Sequence, residues 1–425
     1  MKAVILAAGE GVRLQPVTST RPKHMIKIGG KPILEHCLNA LKSSGIDEAL
    51  IIVNYRADQI RQYFGNGEKF GLKIEYVEQK VIAGTGNAVS VAEPYVKDAF
   101  LLVYGDLLFS AEAVKKVIAV HQMKPVATMA VVPVEKPENY GIVELENESH
   151  IKRITEKPKR EETPSNLANA GIYIFSTEIF AKIGETAASI RGEWEITDAI
   201  SLLLNEKKTL LAARLSRDEW LDIGRPWDLL EANRWALTRT NHKVVGWVEN
   251  DAHLIGPVTV AESARVRSGS YVEGPAFIDE GSDIGPNCYI RPYTSIGKNV
   301  RVGNACEVKN SIIMDNTHVG HLSYVGDSVL GEHCNLGAGT VTANYRLDAG
   351  TIKMMVKDKV VDSERTKLGA VLGDNVKAGI HSLFMPGVKV GANSWVGPNL
   401  VVERDLPPNT IALLKQSVEK RELKL

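Results

Sequence analysis

The sequence lacks most features that mark membrane, secreted or nucleic-acid-binding proteins. Its 425 residues include only four cysteines, none in a CxxC pair, so neither a disulfide scaffold nor a cysteine zinc site is indicated. No charge-free apolar run approaches the roughly 20 residues of a membrane-spanning helix. The 51 basic residues balance 51 acidic ones, which gives no reason to expect a nucleic-acid or membrane partner. The N-terminal residues do not form a signal peptide, so we expect a cytoplasmic protein.

The first half of the chain has the pattern of an α/β domain. Residues 1–235 alternate strand-like apolar runs, such as ALIIV at 49–53, with longer amphipathic stretches, such as PILEHCLNALKSS at 32–44. This alternation is typical of a mostly parallel sheet, whose ligands bind beyond the carboxyl ends of the strands. A helical pattern within 226–243 is the expected linker to the second half.

The second half has a six-residue repeat. From Leu254 to Val308 every sixth residue is Leu, Ile or Val, and a second register resumes at Leu372 and ends at Val402. Such a repeat predicts a left-handed parallel β-helix of hexapeptide repeats over 244–402. Residues 350–367 break the repeat and are expected to protrude as a loop. Residues 403–425 form the expected C-terminal tail, which caps the stack.

The opening turn has the composition of a triphosphate cradle. It contains Gly9 and Gly11, and Arg13 stands where a dinucleotide-binding loop would have its third glycine. A nucleoside triphosphate carries about four negative charges, so its cradle needs unobstructed backbone N–H groups and fixed cations. The glycines allow close backbone approach, and Arg13 and Lys23 supply positive charge. Asn54, rather than an acidic residue, ends the second strand, which disfavours dinucleotide binding.

The stretch LAAGEGVRLQPVTSTRPK resembles the signature of the sugar-1-phosphate nucleotidylyltransferases. Further motifs of that family follow in the family's order: GTGNA at 84–88, YGD at 104–106, NYGIVE at 139–144, EKPK at 156–159, NAGIY at 169–173 and WLDIG at 220–224. The resemblance covers the whole first half and implies a Rossmann-like nucleotidylyltransferase fold. It also implies in-line attack by a sugar-1-phosphate oxygen on the α-phosphorus, with release of pyrophosphate.

The same resemblance implies roles for individual residues. Arg13 and Lys23 are the activating cations, and Asp106 and Asp222 hold Mg²⁺. On its own, an aspartate at a strand end such as Asp106 equally fits a helix cap. The implied nucleotide-binding residues are Leu6, Ala7, Ala8, Gly9, Gly11, Arg13, Lys23, Gln79, Gly84, Thr85 and Asp106. The implied sugar-phosphate-binding residues are Gly141, Glu156, Lys157, Asn169 and Glu195.

The stretch GHLSYVGDSVLGEHCNLGAGTVTANY at 320–345 is similar to the acetyltransferase motif of the bifunctional N-acetylglucosamine-1-phosphate uridyltransferases. Acetyl transfer from coenzyme A to a sugar amine needs a base, and His321 matches the catalytic histidine of that motif. The resemblance places the substrate on Arg291, Lys309, Tyr324, Asn335, Asn344 and Lys353, and acetyl-CoA beside Ala338.

The chain departs from the bacterial pattern after Tyr345. Arg346 follows where the bacterial family has Asp-Gly, and the lysine-rich 350–367 segment is longer. Lys353 is the best substitute for the family's phosphate-binding lysine, with Lys357 as the alternative. This arrangement resembles the archaeal-type fused enzymes.

The resemblance as a whole implies bifunctional synthesis of UDP-N-acetylglucosamine by a homotrimer that uses Mg²⁺ and acetyl-CoA. Two alternatives stay open. One is a monofunctional glucose-1-phosphate thymidylyl- or uridylyltransferase whose β-helix serves only assembly. The other is a non-catalytic regulatory subunit, which the intact Arg13, Lys23, Asp106 and Asp222 disfavour. The motifs do not specify the shape of the pockets. That shape determines whether UTP or dTTP is preferred, and whether the sugar substrate is glucosamine, galactosamine or glucose phosphate.

Overall fold

The computed structural model describes residues 1–189 and 192–423, which divide into two compact units. The first unit consists of Met1–Glu10, Arg21–Ile26 and Lys31–Ile223. The second consists of Gly11–Thr20, Lys27–Gly30 and the chain from Gly224 onward. Residues 11–20, which include Gly11 and Arg13 of the opening turn, therefore belong to the second unit.

All seven α-helices of the described residues are short, and none of these helices is long and apolar enough to cross a membrane. They are α1 Ile33–Ser43, α2 Ala57–Phe64, α3 Thr85–Ser90, α4 Ala111–His121, α5 Glu178–Glu185, α6 Ile196–Asn205 and α7 Asp228–Leu237. The strands up to residue 222 are β1 Lys2–Ala7, β2 Lys27–Ile28, β3 Lys31–Pro32, β4 Glu48–Val53, β5 Lys73–Glu78, β6 Phe100–Tyr104, β7 Leu107–Phe109, β8 Ala127–Pro133, β9 Gly141–Leu145, β10 Ile151–Glu156, β11 Leu167–Phe175, β12 Leu210–Arg214 and β13 Trp220–Asp222.

The first unit is built on one nine-stranded sheet, which confirms the α/β prediction. Its main path runs β10-β9-β11-β6-β1-β4-β5, and β8 joins β11 to β12 beside that path. Strands β6, β1, β4 and β5 are parallel, with Leu6 opposite both Ile52 and Tyr104. Strand β11 pairs antiparallel with β6, β8 and β9. The carboxyl ends of the four parallel strands therefore share one edge.

Both faces of this sheet are buried. In β1, Ala3, Ile5 and Ala7 belong to one apolar core, and Val4 belongs to another. Successive side chains of a strand point to opposite faces, so helices on both sides must cover the sheet. Apolar residues of α1 and α4 fill the first core, and those of α5 and α6 fill the second.

The second unit contains three parallel sheets of short strands. Its strands are β14 Trp247–Val248, β15 His253–Ile255, β16 Val258–Val260, β17 Arg265–Val266, β18 Tyr271–Glu273, β19 Ala276–Ile278, β20 Asp283–Ile284, β21 Tyr289–Ile290, β22 Thr294–Ile296, β23 Arg301–Val302, β24 Glu307–Lys309, β25 Ile312–Ile313, β26 His318–Val319, β27 Tyr324–Gly326, β28 Val329–Leu330, β29 Asn335–Leu336, β30 Val341–Thr342, β31 Lys353–Val356, β32 Lys359–Asp362, β33 Val371–Leu372, β34 Lys377–Ala378, β35 Leu383–Phe384, β36 Lys389–Val390, β37 Trp395–Val396, β38 Val401–Val402 and β39 Ile411–Ala412.

These strands form the predicted β-helix of hexapeptide repeats, in agreement with a left-handed coil. We call the three sheets A, B and C. Sheet A is β14-β17-β20-β23-β26-β29-β34-β37-β39, sheet B is β15-β18-β21-β24-β27-β30-β35-β38, and sheet C is β16-β19-β22-β25-β28-β33-β36. The repeat positions from Val260 to Val308 are fully buried, and Leu254 is half-buried. The aliphatic stack is therefore the core of this unit.

Two coils are one residue shorter than the rest. Ile296 pairs with Ile313, 17 residues later, and Ile313 pairs with Leu330 in the same way. Earlier coils advance by 18 residues, as from Ile278 to Ile296. This shortening is why the six-residue count stops at Val308.

The 350–367 segment interrupts the repeat as predicted, but it is a hairpin rather than an open loop. Strands β31 and β32 pair antiparallel, with Lys353 opposite Asp362. Ile352 and Met354 are buried, so one side of the hairpin is packed. At the C-terminus the coil continues beyond Val402, because β39 pairs with β37. Residues 413–423 have no helix or strand, and the last two residues of the expected tail lie outside the described residues.

Candidate active sites

The first candidate site lies where β1 and β6 end. The N–H of Gly105 donates to the Leu6 carbonyl at 2.9 Å. A Cβ on Gly105 would stand 2.9 Å from that oxygen and 3.1 Å from Ile5, so only glycine fits without displacing its neighbours. This close approach brings Asp106, the next residue, to the Leu6-Ala7-Ala8 end of β1.

Lys23 and Asp106 form an ion pair at this edge. Their side chains are 16% and 15% exposed, and the Cε of Lys23 lies 3.9 Å from where a Cβ on Gly9 would stand. Burial tends to raise the pKa of Asp106, but the charge of Lys23 and the other interactions that favour the carboxylate, including the hydrogen bond from Lys23, together outweigh burial and lower the pKa. Burial lowers the pKa of the adjacent His24 to about 3, so that imidazole is neutral at neutral pH. The structure thus joins a fixed cation and an ionised carboxylate beside the glycine turn.

Asp222 reaches the same edge from a separate strand. Strand β13 pairs antiparallel with β7, which places Asp222 opposite Leu107, the residue after Asp106. Carboxylate oxygens are ligands that Mg²⁺ prefers. Across residues 1–189 and 192–423, no group of three or more His, Cys, Asp or Glu side chains is arranged to hold a metal. Two carboxylates fit an ion that shares its remaining coordination positions with phosphate oxygens and water, as magnesium does in phosphoryl-transfer enzymes.

Gln79 and Gly84 belong to one hydrogen-bonded loop after β5. Gln79 is buried, and its Nε2 donates to the Asn87 Oδ1 at 2.8 Å. Gly84 has a φ of 99°, and a Cβ there would lie 2.5 Å from the Trp194 carbonyl. The loop therefore needs glycine at residue 84 both for its backbone conformation and for its contact with the 192–198 segment.

Thr85 ties that loop to the segment that contains Glu195. Its hydroxyl donates to the Glu195 Oε2 at 3.2 Å and accepts from the Ile196 N–H at 3.0 Å. The Gly86 N–H donates to the Trp194 carbonyl at 2.7 Å. The structure thus brings a residue expected to bind nucleotide and one expected to bind sugar into direct contact.

Gly141, Glu156 and Asn169 come together across three strands. Glu156 is opposite Gly141 in the β9–β10 pair, and its Oε2 lies 2.9 Å from where a Cβ on Gly141 would stand. The Asn169 Nδ2 lies 3.9 Å from the same point. Lys157 pairs with the Glu156 carboxylate at 3.3 Å. Four of the five expected sugar-phosphate residues are therefore neighbours.

The Asn169 amide is held at both ends. Its Nδ2 donates to the Tyr173 hydroxyl at 2.7 Å, and its Oδ1 accepts from the Gly171 N–H at 3.1 Å. The Tyr173 hydroxyl also lies 3.2 Å from that of Tyr104. Burial raises the pKa of both tyrosines, so both are neutral hydroxyls. Sequence reasoning missed Tyr173, although it ends the NAGIY motif.

Gly11 and Arg13 fall in the second unit. Gly11 precedes a 3₁₀ turn over Val12–Leu14, and its carbonyl accepts from the Thr18 hydroxyl at 2.9 Å. Arg13 is exposed, and Leu14 is buried. The guanidinium of Arg13 is thus on the surface of its unit, where a phosphate can reach it.

The second candidate site lies on sheet B of the β-helix. Tyr324 starts β27 and Lys309 ends β24, where it is opposite Gly326. Arg291 follows β21 and donates to Glu307 at 2.9 Å, and the Asn344 Nδ2, after β30, donates to the Tyr324 hydroxyl at 3.1 Å. Four of the residues expected to bind the amino-sugar phosphate thus lie on one face.

A buried carboxylate that sequence reasoning missed joins two of them. Asp327 is 4% exposed and accepts from the Lys309 Nζ at 3.1 Å, the Asn310 Nδ2 at 2.7 Å and the Asn344 Nδ2. Asp327 lies inside the 320–345 motif, directly after Gly326. That position in the motif was the only signal in the sequence that pointed to it.

His321 and Ala338 lie at the corner between sheets A and B. His321 is exposed between β26 and β27, and its carbonyl accepts from the Gly339 N–H at 3.2 Å. Ala338, in the next coil, accepts from the His381 N–H at 2.8 Å. The corner therefore stacks His321, the 338–339 turn and His381, a histidine to which sequence reasoning gave no role.

Two expected substrate residues, Asn335 and Lys353, belong to elements other than sheet B. Asn335 belongs to sheet A, opposite His318 and Lys377, rather than to the face that carries Tyr324. Lys353 lies in the hairpin strand β31 and is exposed. Asn335 is therefore on a different sheet from Tyr324, and Lys353 is on the hairpin.

Both halves of the chain match known families. Residues 2–239 match the model of the nucleotidyl transferase family, and residues 272–385 match that of the GMPPB C-terminal domain. The chain is 46% identical to the bifunctional protein GlmU of Methanocaldococcus jannaschii over the full length of both. It is 42% identical to the bifunctional sugar-1-phosphate nucleotidylyltransferase/acetyltransferase of Sulfurisphaera tokodaii, with 96% of this chain and 98% of that one covered.

Solved structures match the first half. A UDP-glucose pyrophosphorylase in complex with UDP-glucose has a TM-score of 0.52 and 27% identity, covering 56% of this chain and 99% of that one. A glucose-1-phosphate thymidylyltransferase from Bacillus anthracis, described as putative, has a TM-score of 0.52 and 31% identity, covering 57% and 98%. The similarity to these two structures therefore bears on nucleotidyl transfer and says nothing of the β-helix.

Proposed function

The chain belongs to the family of bifunctional sugar-1-phosphate nucleotidylyltransferase/acetyltransferases that includes GlmU, and we propose that it makes UDP-N-acetylglucosamine in two steps. In the first, the β-helix of residues 244–402 acetylates glucosamine-1-phosphate with acetyl-CoA. In the second, the domain of residues 1–235 joins N-acetylglucosamine-1-phosphate to UTP and releases pyrophosphate. Residues 226–243 link the two domains, and the protein works in the cytoplasm.

For nucleotidyl transfer, we assign Lys23 and Arg13 to the triphosphate and Gln79, Gly84 and Thr85 to the nucleoside. Asp106 and Asp222 would hold Mg²⁺, which would neutralise phosphate charge during transfer. The Lys23–Asp106 ion pair keeps the ammonium beside the Gly9 turn, where it can orient a phosphate oxygen.

The sugar phosphate binds at the neighbouring strands β9, β10 and β11. Gly141, Glu156 and Asn169 contact the sugar, and Lys157 contacts its phosphate. A phosphate oxygen of the sugar forms a bond to the α-phosphorus as the bond to the β-phosphate breaks, so pyrophosphate leaves. The protein residues act by position and charge, without a covalent enzyme intermediate.

For acetyl transfer, we assign His321 as the general base. The amine nitrogen attacks the thioester carbonyl, its proton passes to the imidazole, and the C–S bond breaks to release coenzyme A. Such a base contributes about 10²- to 10⁴-fold in rate. Arg291, Lys309, Tyr324 and Asn344 hold the amino-sugar phosphate, and Ala338 lies beside the acyl donor.

The observation that carries this proposal is the cluster on sheet B. A β-helix that served only assembly would have no need for Arg291, Lys309, Tyr324 and Asn344 on one face beside the corner that carries His321. The deciding experiment gives the purified chain several sugar-1-phosphates and either UTP or dTTP, with and without acetyl-CoA. Thiol release with glucosamine-1-phosphate supports two activities. Pyrophosphate release without any thiol release favours the monofunctional alternative.

We further propose a homotrimer formed through the β-helices. Asn335 lies on sheet A, a different sheet from that of Tyr324. In a closed ring of three, one subunit's sheet A can face the next subunit's sheet B, which would supply Asn335 from a neighbour. Light scattering coupled to size-exclusion chromatography should give about three times the 46.5 kDa chain mass. A monomeric, fully active protein would contradict the shared site.

A further inference from the structure

We propose that Asp327 is a positioning residue of the acetyl-transfer site, fixing Lys309 and the orientation of the Asn344 amide. The inference rests on the proposed acetyltransferase function and adds to it a residue that touches no reacting atom. Its role is to determine what two substrate-binding side chains present to the amino sugar.

Asp327 accepts three hydrogen bonds from neighbouring side chains. Both carboxylate oxygens are engaged: Oδ1 by the Asn310 amide, and Oδ2 by the Lys309 ammonium and the Asn344 amide. The side chain of Asp327 is 6% exposed, and that of Lys309 is 18% exposed. A buried carboxylate with three donors from adjacent coils is a rigid anchor, because removing the carboxylate would leave those donors without their acceptor.

Lys309 is held in place by its contact with Asp327. A lysine side chain has several rotatable bonds, and ordering it from a mobile state costs conformational entropy. The contact with Asp327 uses one of the three ammonium donors and leaves two for a phosphate. The cation is therefore already in place before the substrate arrives, so less binding free energy is lost in ordering it.

The amide of Asn344 is held in one orientation by two acceptors. An amide nitrogen has two N–H groups, and those of Asn344 donate to the Tyr324 hydroxyl and to Asp327. With both donors engaged, the group that Asn344 can offer a ligand is its Oδ1, an acceptor. An acceptor complements the N–H groups of an amino sugar, and a flipped amide would not. Asp327 thereby favours a substrate that carries an amine.

The test is Asp327→Asn in the full-length protein, with thiol release and pyrophosphate release measured on the same preparation. Loss of a hydrogen bond to a charged group predicts an increase in KM for glucosamine-1-phosphate of roughly 10- to 100-fold. The KM for acetyl-CoA and the pyrophosphate-releasing activity should stay within about twofold, since neither depends on these contacts. The matched control is Asp283→Asn, which removes a carboxylate that accepts from Arg267 and Arg301 on sheet A.

A second comparison, made between folded variants, tests whether Asp327 is coupled to Lys309. Asp327 acts through Lys309, so adding D327N to K309M should raise KM less than adding it to the wild type. Equal effects in both backgrounds would overturn the inference, as would an unchanged KM for glucosamine-1-phosphate in folded D327N. An equal rise in the KM values of both acetyl-transfer substrates would indicate a merely structural role and also overturn it. Absence of thiol release from the wild-type protein would instead overturn the proposed function.

Discussion

The two candidate sites are assembled from chain segments at very different separations. In the α/β unit, Lys23 meets Asp106 across 83 residues, and Thr85 meets Glu195 across 110. In the β-helix, Lys309 and Asn344 meet Asp327 across 18 and 17 residues, which is one coil. The first site depends on how a whole sheet comes together, and the second depends on the local register of neighbouring coils. A substitution that breaks one site should therefore leave the other intact.

The largest expected loss is that of acetyl transfer in His321→Ala. Without the base, thiol release from acetyl-CoA should fall by about 10²- to 10⁴-fold. Pyrophosphate release should be unchanged, because His321 belongs to the β-helix corner. The matched control is His253→Ala, an exposed histidine at the start of β15. Unchanged thiol release in His321→Ala would remove that residue from its assigned role.

Asp106→Asn should have the reverse effect. Loss of the carboxylate removes both the partner of Lys23 and an expected ligand of Mg²⁺, so pyrophosphate release should fall by about 10²- to 10³-fold. Thiol release should remain within about twofold. If both activities collapsed in a folded protein, the two sites would not be independent.

Gly105→Ala tests the packing that brings Asp106 to the end of β1. The new methyl group would meet the Leu6 carbonyl at 2.9 Å, so we expect the free energy of unfolding to fall by about 1–3 kcal/mol. Gly184→Ala, in helix α5 with no heavy atom within 4 Å of the new methyl, should be neutral or stabilising by about 0.5–1 kcal/mol. Urea unfolding of both variants makes the comparison. Equal stability of the two would show that the contact at Gly105 is not restrictive.

Tyr173→Phe has the smallest expected effect. The change removes the acceptor of the Asn169 amide while keeping the buried ring, so the KM for the sugar-1-phosphate in nucleotidyl transfer should rise roughly 3- to 10-fold. The KM for the nucleotide and the acetyl-transfer kinetics serve as internal controls. An unchanged KM for the sugar phosphate would mean that Asn169 needs no support from Tyr173.

The sequence predicted repeated features well and unique contacts poorly. Six-residue spacing identified the buried stack from Val260 to Val308, because every coil imposes the same requirement on that position. The six-residue spacing failed after Val308, because two coils are each one residue shorter than the others. In the α/β half, the apolar run at 49–53 located β4, because a strand covered on both faces needs apolar side chains throughout.

Side-chain partnerships were beyond sequence reasoning for a physical reason. Tyr173 and Asp327 were missed because their roles depend on which amide each one meets, and that depends on strand register rather than on residue type. The separation of Asn335 from Tyr324 on different sheets was likewise invisible, since both lie in one uninterrupted motif. Motifs indicated which residues belong to a site, and only the fold showed how they are held.

The most direct test of two independent sites is a mixture of the two inactivated proteins. His321→Ala and Asp106→Asn are each incubated with glucosamine-1-phosphate, acetyl-CoA, UTP and Mg²⁺, first separately and then together, and UDP-N-acetylglucosamine is quantified by chromatography. Each variant alone should make almost none, and the mixture should restore synthesis, because N-acetylglucosamine-1-phosphate made by one protein can be used by the other. A mixture as inactive as its components, with both proteins folded, would contradict the account.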